Sequence, residues 1–69
     1  MPPLSVAAPF HGHASLLVHP GERVEAGAVL ARVEAVKLEA AVTAPVAGVV
    51  ERVAASGDVD GGDVLVVLS

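Results

Sequence analysis

The chain has 69 residues, which is enough for one domain with a thin hydrophobic core. Its formal net charge is −4, and three arginines with one lysine are too few cations to neutralise a nucleic-acid backbone. Phe10 is the only aromatic residue, so base stacking and a bulky apolar ligand cavity are also disfavoured, and we expect no nucleic-acid partner.

The start at Met1-Pro2-Pro3 shows no charged segment followed by an apolar run, so no signal peptide is predicted. The longest nearly apolar stretch, residues 40–50, is interrupted by Pro45 and Gly48 and is too short to span a membrane. Cysteine is absent, which leaves no disulfides to support the fold. We expect a complete, small, soluble cytoplasmic protein with no membrane partner, monomeric as an isolated domain.

Short Val-rich runs alternate with clusters of Gly, Pro and Asp, and no segment keeps a 3.6-residue apolar period. This pattern predicts an all-β domain rather than helices. In chain order, the predicted strands of the first part are Leu4–Ala7, His13–Val18, Arg23–Val24, Val29–Glu34 and Leu38–Thr43.

From Ala44-Pro45 onward the chain repeats its first half. The matched pairs are Ala8-Pro9 with Ala44-Pro45, Gly12 with Gly48, Gly21 with Gly57, Val24 with Val59, Gly27 with Gly62, and Val29-Leu30 with Val64-Leu65. Neither half has enough strands for its own core, so we expect a β-sandwich in which the halves pack face to face. The repeated glycines are predicted to be turn residues with positive φ, and the prolines to stand at strand entrances.

Lys37, the only lysine, falls between the two repeats. This position predicts the tip of a hairpin, with residues 4–35 forming the first half, 36–37 the tip and 38–69 the second half of a single domain. Leu38, Ala40 and Val42 are expected to face one side of the second hairpin strand, while Glu34 and Glu39 keep the tip in water. A lysine amine is mostly protonated at neutral pH, so its modification would require a separate enzyme.

The segment Glu34-Ala35-Val36-Lys37-Leu38-Glu39, preceded by Gly21–Gly27 and followed by Ala44-Pro45, resembles the biotinyl/lipoyl attachment domain, especially biotin carboxyl carrier proteins. The resemblance implies a flattened barrel-sandwich of two four-stranded antiparallel sheets. It also implies a non-catalytic subunit of a biotin-dependent carboxylase, such as an acyl-CoA carboxylase, in which Lys37 carries covalent biotin within a flanking motif of Glu34, Val36 and Leu38. The implied partners are a biotin protein ligase, a biotin carboxylase and a carboxyltransferase.

Two alternatives remain open. Lipoate could occupy Lys37: lipoyl domains of the 2-oxo acid dehydrogenases usually have Asp before the lysine and Ala after it, unlike this chain, but the lipoylated H protein of glycine cleavage resembles it in having Val before the lysine. The chain could also be an unmodified interaction module. Biotin carriers usually have methionine at positions 36 and 38, and a β-branched Val36 would fit poorly if the two-residue turn required positive φ, in which case Val36→Met is expected to improve modification.

Other polar clusters predict no second site. His11 and His13 have the spacing of a metal pair, but neither they nor His19 have a third ligand at a suitable interval, and His11 is expected in a turn. Asp58, Asp60 and Asp63 are interpreted as turn formers on a solvated face rather than a calcium loop. We therefore expect no metal and no catalytic residues.

Overall fold

The computed structural model describes residues 3–69, and it contains eight strands within that range. They are β1 (Leu4–Ala7), β2 (Gly12–Leu16), β3 (Arg23–Val24), β4 (Val29–Glu34), β5 (Glu39–Thr43), β6 (Gly48–Val53), β7 (Gly57–Val59) and β8 (Val64–Leu68). Met1 and Pro2, on which the prediction of no signal peptide depends in part, lie outside the described residues. Within residues 3–69 no helix could cross a membrane.

Two four-stranded antiparallel sheets form the domain, which confirms the predicted fold class. Their strand orders are β1-β8-β6-β3 and β5-β4-β2-β7. The two orders are equivalent when four is added to each strand number, counting on from β8 to β1. In this way β1 corresponds to β5, β8 to β4, β6 to β2 and β3 to β7. The internal repeat is therefore a quasi-twofold relation between the two sheets.

Each sheet contains two strands from each half of the chain, so the prediction that the two halves pack face to face as separate layers is wrong. The halves interlock instead. The reason is that β1 pairs with β8 and β5 pairs with β4, so each half supplies an edge strand that pairs with a central strand of the other half. No buried charged side chain is present between the sheets in the part of the chain described.

The core is aliphatic and lies between the sheets. Its fully buried larger side chains are Leu30, Val33, Val50, Leu65, Val66 and Leu68. Branched aliphatic residues suit this position because they pack well on a pleated surface. The strand predictions hold with small differences: β2 ends at Leu16 rather than Val18, and Leu38 precedes β5 rather than opening it.

The repeated glycines serve two different purposes. Positive φ, as predicted, occurs at Gly21, Gly27, Gly57 and Gly62. Gly12 and Gly48 are not among the positive-φ glycines, so the prediction is wrong for this pair. These two lie against backbone instead: a Cβ on Gly12 would be 2.4 Å from the carbonyl oxygen of Glu34, and a Cβ on Gly48 would be 2.8 Å from that of Ser69.

Strand directions give the domain two distinct ends. β4 runs towards Lys37, β2 is antiparallel to it, and β7 is antiparallel to β2, so β7 ends on the same side as Lys37. β8 then starts at that end and finishes at Leu68 on the far side, where it pairs with Leu4. Lys37 and Ser69 therefore lie at opposite ends of a body measuring 35 × 18 × 17 Å.

Candidate attachment site

Lys37 lies at the tip of the hairpin formed by β4 and β5. Register pairing continues to Glu34 opposite Glu39. Beyond that pair, the Ala35 N–H donates a hydrogen bond of 2.8 Å to the Leu38 carbonyl, which leaves Val36 and Lys37 as the bend. The predicted position of the lysine, at a two-residue tip, is the position in the structure.

The tip is exposed to solvent. Lys37 is exposed, Val36 is 98% exposed and Leu38 is 59% exposed. Two aliphatic side chains beside the lysine thus add nothing to the core, and they offer an apolar contact to whatever approaches the amine.

Among residues 3–69 only glycines have positive φ, so Val36 adopts an ordinary backbone conformation. The bend therefore closes without the positive φ that would make a β-branched residue fit poorly at position 36.

The base of the hairpin is fixed. Ala31 and Val33 are fully buried, and they pair with Val42 and Ala40 across the hairpin. This arrangement confirms the inward alternation predicted for Ala40 and Val42, whereas Leu38 lies largely in solvent. A mobile lysine side chain thus projects from a rigid support.

Charged side chains form a row on the outer face of the same sheet. Register pairing brings Glu39 beside Glu34, Glu34 beside His13, and His13 beside Asp58. Arg32 partly offsets the two glutamates through a 3.0 Å contact from its Nη1 to Glu39 Oε1. Both of these side chains are about half exposed, so the pair contributes little to stability.

A groove opens beside the tip on the β2–β7 side, and we call it the side groove. Its volume is about 460 Å³, and it is lined by His11, Gly12, His13, Glu34, Ala35, Val36, Asp58, Val59 and Asp60. Sequence reasoning treated the histidines and the aspartates as unrelated surface residues. The quasi-repeat is the sequence feature that could have indicated this cluster, because the pairing of β7 with β2 brings the second-half aspartates beside the first-half histidines.

The structure confirms the turn predictions for His11 and Asp63 but not for Asp58, which lies in β7 on a solvated face. His11 lies in a bend, and Asp63 caps a turn by accepting a 2.8 Å hydrogen bond from the Asp60 N–H through its Oδ2. Over the described range, no group of three or more His, Cys, Asp or Glu residues has the arrangement of a metal site. His13 Nδ1 lies 3.8 Å from Asp58 Oδ1, with both side chains largely in solvent.

The sequence was compared with family models and with known proteins. Residues 2–68 match the family model for biotin/lipoyl domains, described as "Biotin-requiring enzyme". The chain belongs to the biotin/lipoyl attachment domain family. The comparison with curated proteins found no match to this sequence.

Membership of the family implies that the domain carries covalently attached biotin or lipoate and that it acts as a carrier rather than a catalyst. The structure fits such a group at Lys37. The amine is exposed at a tip, the bend leaves it open to a modifying enzyme, and the support below it is buried and paired. Either acyl group could be accommodated by these features alone.

Proposed function

We propose that this attachment domain is a biotin carboxyl carrier protein in which the Lys37 amine forms an amide with biotin. The observation that carries the proposal is the exposed tip, where the only lysine of the chain lies between two exposed aliphatic side chains, Val36 and Leu38. When attached, biotin would supply the carrier chemistry, by holding a carboxyl group for transfer to an acyl-CoA or a similar acceptor.

The domain's own residues would act by position. Val33 and Ala31 anchor the hairpin in the core, so Lys37 stays at a fixed height above the body. Presentation on such a support raises the effective concentration of the attached group at each partner's active site. We include in the proposal a biotin protein ligase, a biotin carboxylase and a carboxyltransferase as successive partners, and a cytoplasmic location.

Val36 and Leu38 would have a separate purpose, which is recognition by the ligase. Val36 is 98% exposed and Leu38 is 59% exposed, and the exposed part of an aliphatic side chain contributes little to folding, since the hydrophobic effect requires removal from water. Contact with an apolar surface of the ligase would provide that removal. Glu34, exposed at the end of β4, adds a charge at a fixed distance from the lysine.

Lipoate is the second candidate, since the family includes both groups. The experiment that separates them uses the full chain with purified biotin ligase or lipoate ligase, followed by intact mass measurement. We expect one biotinyl increment with the first enzyme, a streptavidin shift of the product, and neither in Lys37→Arg. A lipoyl increment alone would overturn the biotin assignment, and no increment with either enzyme would favour an unmodified interaction module.

A further inference from the structure

We propose that the side groove is a resting site for the fused-ring head of biotin attached to Lys37. The inference rests on the proposed function and goes beyond it, because it assigns a ligand contact to residues outside the lysine motif. It also gives a structural reason for preferring biotin to lipoate.

The first argument is reach. From the Cα of Lys37 to the ring system an extended chain of eleven bonds spans ~13 Å, taking ~1.2 Å per bond from the length of extended polypeptide. The far wall of the groove is on β7, which is two strand spacings from β4, or ~10 Å. Val36, the neighbour of Lys37, lines the near wall. The arm is long enough to fold back across the groove and place the ring against β7.

The second argument is chemical complementarity. The ureido ring of biotin has two N–H donors and one carbonyl acceptor. Glu34, Asp58 and Asp60 provide carboxylate acceptors along the groove, and the imidazoles of His11 and His13 provide N–H donors. Hydrogen bonds to ionised carboxylates are stronger than those between neutral groups.

The third argument concerns the apolar part of the arm. Ala35, Val36 and Val59 also line the groove, and they can contact the methylene chain and the sulfur-containing ring. The groove volume of about 460 Å³ is within the range of small-molecule sites, and its open side lets the ring leave for a partner's active site. The dithiolane ring of lipoate has no N–H donor, so it could not replace the water that hydrates these exposed carboxylates with hydrogen bonds of its own.

The test compares three forms of the same ¹⁵N-labelled chain: unmodified, pentanoylated on Lys37, and biotinylated on Lys37. Pentanoylation removes the lysine charge and adds the methylene chain without the rings, so the difference between the pentanoylated and biotinylated spectra reports the ring system. We expect amide shift differences at Gly12, Asp58 and Val59. Differences confined to residues 35–38 would overturn the proposal.

Two variants sharpen the result. In the double variant Asp58→Ala/Asp60→Ala we expect the ring-dependent shifts at Gly12 and Val59 to be lost, while the turn is kept because the Asp60 backbone N–H still has its Asp63 acceptor. Glu25→Ala removes an exposed carboxylate at the opposite end of the domain and should leave the shifts unchanged. Retention of the shifts in the double variant, or an equal effect of Glu25→Ala, would overturn the proposal.

A lipoylated sample provides a further comparison, and equal shifts on β7 with lipoate would refute the claim of chemical preference. Intact mass is measured first on every sample. Failure of the biotin ligase counts against the proposed function only, because Lys37, the only lysine, can also be acylated with an activated biotin ester, and the product modified on Lys37 rather than on the N-terminal α-amine can be isolated and identified by peptide mass mapping. The groove is then tested on that chemically prepared sample.

Discussion

Substituting Gly12 by alanine tests whether the base of the lysine hairpin must be held in place. A Cβ at this position would lie 2.4 Å from the Glu34 carbonyl oxygen and 2.9 Å from the Glu34 carbonyl carbon. An ordinary carbon–oxygen contact is ~3.3 Å, so the Glu34 carbonyl would have to withdraw by ~0.9 Å. Glu34 is paired with His13 on one side and Glu39 on the other, so this movement displaces the hairpin base.

The expected cost follows from these contacts. Overpacking of this kind costs ~1–3 kcal/mol, and replacing a strand glycine by alanine returns ~0.5–1 kcal/mol. The net loss is ~1–2 kcal/mol, against a total stability of ~3–10 kcal/mol for a chain of this length. Urea unfolding measures the loss as a lower midpoint with an unchanged slope.

Gly48→Ala is the matched control, because the quasi-twofold relation places Gly48 against Ser69 at the opposite end. The contact there is 2.8 Å, longer than the 2.4 Å contact at Gly12, and it lies at the end of the domain remote from Lys37. We expect Gly12→Ala to slow biotinylation of Lys37 and Gly48→Ala to leave the rate unchanged. Equal modification rates in the two variants would refute the idea that the Gly12–Glu34 contact positions the tip.

Three further substitutions examine the tip, the core and the turn next to the groove. Val36→Met should change the free energy of unfolding by no more than ~0.5 kcal/mol, since the side chain is in solvent. Val36→Asp should slow biotinylation without changing that free energy. A large change in the free energy of unfolding in either variant would show that Val36 is structural. Leu30→Ala removes a fully buried side chain and should cost ~2–5 kcal/mol in urea unfolding, and a cost below that of Val36→Asp would contradict the core assignment. Asp63→Ala removes the acceptor of the Asp60 N–H and should cost ~1 kcal/mol, seen as a melting temperature ~4–8 °C lower, whereas an unchanged melting temperature would mean that the cap contributes nothing.

Local patterns were sufficient to predict much of this fold. Val29–Glu34 was predicted to the residue, because a mainly apolar run follows the Ala26-Gly27 turn and ends at a carboxylate before the lysine segment. The repeat of glycines and prolines placed Lys37 at a hairpin tip, since a chain made of two similar halves must have a connection between them. Resemblance at the lysine motif then supplied the family, which the match over residues 2–68 shows.

Properties that depend on pairing between distant strands could not be predicted in the same way. Gly12 and Gly48 have the same sequence context as turn glycines, and only the proximity of Glu34 and Ser69 reveals that they are close-approach positions. The interlocking of the halves likewise depends on β1 pairing with β8 rather than with a strand of its own half. The side groove also depends on pairing between distant strands, because its walls come from β2, β4 and β7.

The pairing of Leu4 with Leu68 has a further consequence for the covalent topology of the domain. The start of β1 and the end of β8 are adjacent there, at the place that the quasi-twofold relation makes equivalent to the Lys37 hairpin. A short peptide linker joining them would make the backbone circular without crossing either sheet or approaching the lysine. Ring closure over a chain of this length removes unfolded-state entropy worth ~4 kcal/mol, so the end remote from Lys37 is where stability could be added independently of the site.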